Sequence, residues 1–199
     1  MNIIQKKTEE LVRMNLAPFF KSLGYRKSGR TFSFQFEDNY RIVNIQSWKY
    51  NDQNSGRFTI NLSVYLAKAQ ASTNFIAKTL PPKEYECQIR ERIGVLIGAP
   101  QDDIWWEVLP DSNIAELAGT IIGHLKKSAI PWLETMSIPE NAAEYYLRMN
   151  MKGMAALFYW VAGYSKKSSE LLCDLLKTSH NERLKNYWRE WAIRNKVID

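Results

Sequence analysis

Hydrophobic residues recur at helical spacing at the beginning of the chain. The apolar positions that share one helical face are Leu11, Val12, Leu16, Phe19, Phe20 and Leu23. This spacing predicts a helix over about residues 3–23. Pro18 falls inside it, and because proline has no amide hydrogen to donate, we expect a kink or a restart there. Gly24 suits the left-handed conformation that ends many helices.

Three runs with a period of two follow this helix. Aromatic and polar residues alternate over residues 32–36, and apolar and polar residues alternate over residues 40–48 and 57–66. A short turn at Asp38 separates the first two runs, and a polar loop at residues 51–56 separates the last two. We therefore expect an antiparallel meander of three strands with one buried face.

The second half of the chain is predicted to be mainly helical. Residues 104–109 indicate one short strand, which a long helix follows, capped by Asp111 or Ser112 and ended or restarted near Pro131. Helical patterns then cover residues 140–151, 153–163, 167–178 and 181–195.

This order of elements predicts an α+β fold, with an antiparallel β-meander packed against helices and followed by an all-helical C-terminal extension. The stretch Ser137-Ile138-Pro139 marks the expected boundary. We predict an α+β domain over residues 1–136 and a helical C-terminal subdomain over residues 137–199.

The composition is that of an ordinary folded protein, with 45% hydrophobic and 24% charged residues. No apolar run reaches the roughly 20 residues that a membrane span needs. The N-terminus lacks the apolar segment of a signal peptide, so a cytoplasmic location is expected. Cys87 and Cys173 are too few for a disulfide framework and are expected to be reduced.

The positive charge is concentrated toward the ends of the chain. The formal net charge is +6, and residues 1–49 hold nine Lys and Arg against four Asp and Glu. Arg26, Lys27 and Arg30 follow the first predicted helix as a basic turn. Such a turn fits two interpretations, a site for an anion such as phosphate or a solvated surface.

Uncharged amides occupy one face of the predicted meander. Asn44 and Gln46 alternate on one strand, and Asn61 lies on the corresponding face of the next. Such a face can hydrogen-bond a polar ligand or a peptide, or the amides can satisfy neighbouring loops and helices. The predicted ligand-binding residues are Asn44, Gln46, Asn61, Trp48, Arg30 and Arg57.

Several segments of the chain form one ordered set. They are Leu23-Gly24-Tyr25, Gly29-Arg30-Thr31-Phe32, Val43-Asn44-Ile45-Gln46-Ser47, Arg57-Phe58-Thr59-Ile60-Asn61-Leu62, Cys87-Gln88-Ile89-Arg90-Glu91-Arg92-Ile93-Gly94, Trp105-Trp106 and Ile130-Pro131-Trp132-Leu133. Together they resemble a bacterial family known as domain of unknown function 4304. The resemblance covers about residues 5–135 and implies an intact α+β unit without a known activity. Residues 155–176 further resemble one tetratricopeptide-like helical hairpin.

These patterns predict a cytoplasmic binding or interaction protein that is not an enzyme and that recognises a partner protein or a small polar ligand on the amide face. Neutralisation of a toxin is one such role, by analogy alone. We expect no cofactor, metal, nucleic acid or membrane. His124 and His180 lack neighbouring ligands at metal-binding spacing.

Two alternatives from other classes remain open. The first is a small enzyme with a second pocket beside the sheet, formed by Arg90, Glu91 and Trp105. The second is a nucleic-acid-binding protein that uses the basic ends of the chain.

Overall fold

The fold was analysed in a computed structural model that describes residues 1–73, 77–99 and 103–198. Its centre is an antiparallel sheet in the order β1-β2-β3-β4-β5, with β6 also paired to β4. The strands are β1 Arg26–Ser28, β2 Thr31–Phe36, β3 Asn39–Ser47, β4 Gly56–Tyr65, β5 Ile89–Arg92 and β6 Trp106–Val108. The predicted α+β class and the three-stranded meander are confirmed. Strand β6 lies within the short strand predicted over residues 104–109, and β1 and β5 are additional strands.

One face of this sheet forms a hydrophobic core. Val43 and Ile45 on β3 lie beside Phe58, Ile60 and Leu62 on β4, and each of these side chains is at most 2% exposed. They are the alternate residues that the sequence assigned to the buried face. Removing the side chain of a buried Phe costs about 3–5 kcal/mol of stability, so this face provides much of the free energy of folding.

The N-terminal helix runs in three parts, α1 Ile3–Glu10, a π-helical segment Leu11–Leu16 and α2 Ala17–Ser22. The ring of Phe20 stacks on Phe32 at 4.3 Å between centroids, which joins this helix to the sheet. Gly24 follows α2 with a φ of +83°, as expected for a residue that ends a helix in the left-handed conformation.

Both prolines inside helical segments follow a π-helical stretch. Pro18 follows Leu11–Leu16, and Pro131 follows the π-helical segment Leu125–Ala129. A proline inside a helix removes a hydrogen bond and crowds the carbonyl four residues earlier, so a wider turn before it relieves the clash. The helix therefore continues through each proline with altered geometry.

Asn113, rather than the predicted Asp111 or Ser112, caps the helix that follows β6. Its side-chain oxygen accepts a hydrogen bond from the Glu116 amide at 3.3 Å. Ser112 instead accepts one from the Leu109 amide at 2.8 Å, within the preceding turn. The helix consists of α5 Ile114–His124, the π-helical segment and α6 Ile130–Met136.

The segments between β4 and β6 are short. In the described part of this region, the helical segments are α3 Ala67–Ser72, a 3₁₀ turn Glu84–Glu86 and α4 Ile93–Leu96. The C-terminal helices are α7 Pro139–Arg148, α8 Lys152–Val161, α9 Ser165–Thr178 and α10 Glu182–Arg194. No helix in the described ranges is both long and apolar enough to span a membrane.

The chain divides into two compact units. Unit 1 contains Met1–Tyr65 and Thr79–Leu133, and therefore the whole sheet. Unit 2 contains Leu66–Lys78 together with the chain from Glu134 onward. The division into domains at residues 136 and 137 stays a prediction.

Candidate functional site

The predicted amide residues form the floor of a groove in unit 1. The strand register places Asn44 opposite Asn61 and Gln46 opposite Thr59. Opposed residues on neighbouring strands project from the same face, so the amides come together. Asn44, Gln46 and Asn61 line a groove of about 680 Å³, which Ser28, Thr31 and Ser33 extend across β1 and β2.

The wall of this groove is the segment 79–85. Leu80, Pro81 and Tyr85 give it an apolar surface, and Leu80 and Tyr85 are 64% and 57% exposed. The carboxylate of Glu86 accepts a hydrogen bond from the Lys83 amide at 2.9 Å. An ion pair of 2.8 Å between Glu84 and Arg90 connects the wall to β5. The first contact fixes the end of the wall locally, and the ion pair holds the wall to the sheet.

Part of the hydrogen-bonding capacity of the floor is used internally. Asn61 donates its side-chain amide to Gln46 Oε1 at 2.7 Å, and Asn44 donates to Thr31 Oγ1 at 2.9 Å. An amide side chain has two N–H donors and an oxygen with two lone pairs. One contact each leaves these side chains with further donors and acceptors. Asn61 is buried at 7% exposure and holds Gln46 in position, so Asn44 and Gln46 are the amides that a ligand can reach.

Neighbouring side chains on the same face of the sheet are inaccessible to solvent. Ile42, Thr59 and Ser63 project from it and are fully buried. The amide face is therefore covered in part, as the alternative interpretation expected. It stays accessible at Asn44, which is half-buried, and at Gln46, which is exposed.

A family model described as Domain of unknown function (DUF4304) matches residues 16–135, which is more than half of the chain. The chain belongs to this family. The resemblance seen in the sequence is confirmed, and the DUF4304 match contains every residue that lines the groove. No curated protein and no solved structure matches the chain.

Three other predicted residues of the DUF4304 region lie outside the described lining of the groove. Arg30 pairs with Glu9 at 2.9 Å and also donates to the hydroxyl of Ser47. Arg57 pairs with Glu107 at 3.2 Å and lies over the ring of Trp48 at 5.8 Å. Arg30 and Trp48 line a separate cavity of about 250 Å³.

The residues of the predicted second pocket, Arg90, Glu91 and Trp105, do not converge on one face of the sheet. Arg90 lies opposite Ser63 and Glu91 opposite Leu62, so their side chains leave opposite faces. The indole of Trp105 donates to Asp103 Oδ2 at 2.8 Å, and the Arg92 guanidinium lies 5.5 Å from the ring centroid. A catalytic role for the trio remains a prediction that would need another arrangement of these side chains.

The chemistry available in the DUF4304 groove is hydrogen bonding. Its described lining contains amides, hydroxyls and the charged side chains of Lys83 and Glu84, but neither His nor Cys, so the hydroxyls have no imidazole beside them to act as a base. Among the described residues, no three His, Cys, Asp or Glu side chains cluster closely enough to hold a metal ion.

The wall of the groove was missed from the sequence. Residues 67–86 show neither helical nor strand periodicity in the sequence, so no pattern predicted the position of the segment 79–85 against the sheet. The available signal was the pair Pro81-Pro82, which favours extended backbone, followed by an aromatic residue at Tyr85.

Proposed function

We propose that the DUF4304 unit binds an extended peptide segment of a partner protein in the groove. The observation that carries this proposal is the uncharged amide floor of Asn44, Gln46 and Asn61, placed beside an apolar wall. A peptide group offers one donor and one acceptor, and an amide side chain offers the same chemistry in return.

The wall gives the groove a second kind of contact. Leu80 and Tyr85 are largely exposed at its rim, and an apolar or aromatic side chain of a bound segment would cover them. Aromatic anchors supply a large share of binding energy at protein interfaces. A peptide can place its backbone over the amides and a side chain against this wall at the same time.

The size of the groove agrees with this assignment. Its volume of about 680 Å³ lies within the ~300–1,000 Å³ that is typical of sites for small ligands and short segments. The floor carries no charge, and the nearby Glu84 is already paired with Arg90. Recognition therefore relies mainly on neutral hydrogen bonds and apolar contact, and the described lining adds the positive charge of Lys83.

The test is a selection from a displayed library of random peptides, followed by Kd measurements on an enriched peptide by fluorescence polarisation. Gln46→Ala removes an amide of the floor, and Tyr85→Ala removes the aromatic residue of the wall. We expect each to weaken binding about tenfold, since losing such a contact costs roughly 1–2 kcal/mol.

The matched controls are Gln53→Ala and Tyr50→Ala, which change the same residue types outside the groove. Gln53 is exposed and Tyr50 is 63% exposed. Both controls should bind the peptide within about twofold of the wild type, as expected of positions away from the contact. Failure to enrich any peptide, or equal losses in groove and control variants, would contradict the proposal.

A further inference from the structure

A second cleft in unit 1 is lined by cations. It has a volume of about 740 Å³, and Arg13, Lys21, Arg26 and Lys27 contribute the charged side chains of its lining. Arg13 and Lys21 come from the N-terminal helix, and Arg26 and Lys27 come from strand β1. All four are exposed, so their charges face solvent at the cleft.

The two arginines of this cleft differ from the other arginines of unit 1. Within the described ranges, neither Arg13 nor Arg26 has a side-chain hydrogen bond, an ion pair or an aromatic ring as a partner. The remaining arginines of the unit each contact a carboxylate or aromatic rings, in the pairs Arg30–Glu9, Arg41–Phe34 and Phe36, Arg57–Glu107, Arg90–Glu84 and Arg92–Asp103.

The positive charge of the four side chains exceeds the negative charge that lies close to them in the fold. Helix α2 ends beside the cleft, and a helix C-terminus carries only about half a negative charge. Four positive side chains exceed it several-fold. The described lining of the cleft contains no carboxylate, and Glu37 lies in an adjoining cavity that Arg26 also lines. The cleft therefore keeps a positive potential that attracts anions.

The spacing of the cations indicates the size of the anion. Arg13 and Lys21 are eight residues apart on one helical face, which corresponds to roughly 12 Å along a helix axis. An anion that contacts Arg13, Lys21 and the cations of β1 at the same time must carry negative charge at several points. Arginine forms paired hydrogen bonds with phosphate oxygens, and lysine adds a point charge.

We infer that this cleft binds a small anion that carries several phosphate groups. The four cations come from two elements, the N-terminal helix and β1, and line one open cleft instead of forming a stripe along a single element, and this favours a compact ligand over a nucleic-acid strand. The site is separate from the amide groove, so it goes beyond the proposed peptide binding.

Isothermal titration calorimetry with tripolyphosphate at low ionic strength tests the inference. We expect one site on the wild-type protein, with a Kd that rises steeply on adding NaCl because exposed charges are screened. Replacing Arg13, Lys21, Arg26 and Lys27 together with Gln should weaken binding at least about tenfold. The pairs R13Q/K21Q and R26Q/K27Q provide the same test with fewer changes if the fourfold variant does not fold.

The matched control replaces two exposed lysines and two exposed arginines of unit 2, namely Lys166, Lys177, Arg183 and Arg189, with Gln. It removes the same charge and should leave the Kd within about twofold, because it does not touch the cleft. Equal weakening in both variants would overturn the inference and assign binding to net charge.

Two further probes distinguish phosphate from carboxylate, and a small anion from a nucleic-acid strand. A hexaglutamate peptide that binds as tightly as tripolyphosphate would overturn the preference for phosphate. A single-stranded oligonucleotide that binds while tripolyphosphate does not would overturn the assignment of a small ligand. In Tyr85→Ala, tripolyphosphate binding should be unchanged, and this separates the cleft from the peptide groove.

Discussion

The two cysteines differ in burial, and their thiols therefore differ in reactivity. Cys87 is buried beside the wall of the groove, and burial raises the pKa of its thiol to about 12. Cys173 on α9 is exposed. Because the thiolate is the reactive form, a buried thiol with a raised pKa is protected twice, by exclusion of the reagent and by protonation.

We predict that iodoacetamide at pH 8 modifies Cys173 in the folded protein and leaves Cys87 intact. In denaturant, both cysteines should react, since unfolding exposes Cys87 and returns its pKa to the ordinary range. Mass spectrometry of the digested protein gives the extent of modification at each position. Rapid modification of Cys87 under native conditions would show that the wall opens readily.

The amides of the floor were predictable because alternate residues of a strand share a face. That rule places Asn44 and Gln46 on one face of β3, and the antiparallel pairing of β3 with β4 places Asn61 beside them. The roles of Arg30 and Arg57 were not predictable, since their partners Glu9 and Glu107 lie 21 and 50 residues away in sequence. A basic side chain finds its acidic partner through tertiary folding, which a local pattern does not contain.

At the scale of elements, the long and periodic segments were predictable, and so was the short strand β6, whereas β1 and β5 were not. Strands β3 and β4 and the four C-terminal helices lie within a few residues of their predicted ranges. The three-residue strand β1 and the four-residue strand β5 have too few residues for a period to be recognised. Their pairing depends on the long strands beside them.

Glycine packing between helices gives a testable contrast at this scale. A Cβ added at Gly153 in α8 would lie 2.1 Å from Cε2 of Trp188, whereas one at Gly119 in α5 would meet nothing within 4 Å. Gly153→Ala should therefore destabilise the protein by about 1–3 kcal/mol through overpacking. Gly119→Ala should stabilise it by up to about 1 kcal/mol, since Ala favours the helix.

Urea denaturation followed by circular dichroism measures both changes. The two variants add the same methyl group to a helical glycine, so their comparison isolates the effect of the space around it. Equal stabilities for the two would mean that the indole of Trp188 moves away from α8 without a cost.

At the scale of the whole molecule, the second unit is built from two separate stretches of chain. Residues 66–78 belong with the C-terminal helices, although they directly follow the longest strand of the sheet. The indole of Trp191 donates to Ser72 Oγ at 3.3 Å, and Lys68 donates to the Val161 carbonyl at 3.0 Å. These contacts connect an internal segment to residues near the C-terminus.

A protein truncated to residues 1–136 should lose the partners of this segment. Leu66 and Ala69, at most 3% exposed in the full chain, would become accessible. We predict faster proteolysis within residues 66–78 of the truncated protein, because cleavage requires an accessible and locally unfolded backbone. Limited proteolysis with mass spectrometry compares the two proteins, and equal protection would contradict this prediction.

The lengths of the strands have a consequence for behaviour at high concentration. The nine- and ten-residue strands β3 and β4 lie inside the sheet, and β1 at one side and β5 and β6 at the other have only three or four residues. Unpaired backbone at a sheet edge can recruit another chain, and short, charged edge strands discourage it. Arg26 and Lys27 on β1 thus also protect the protein against edge-to-edge aggregation.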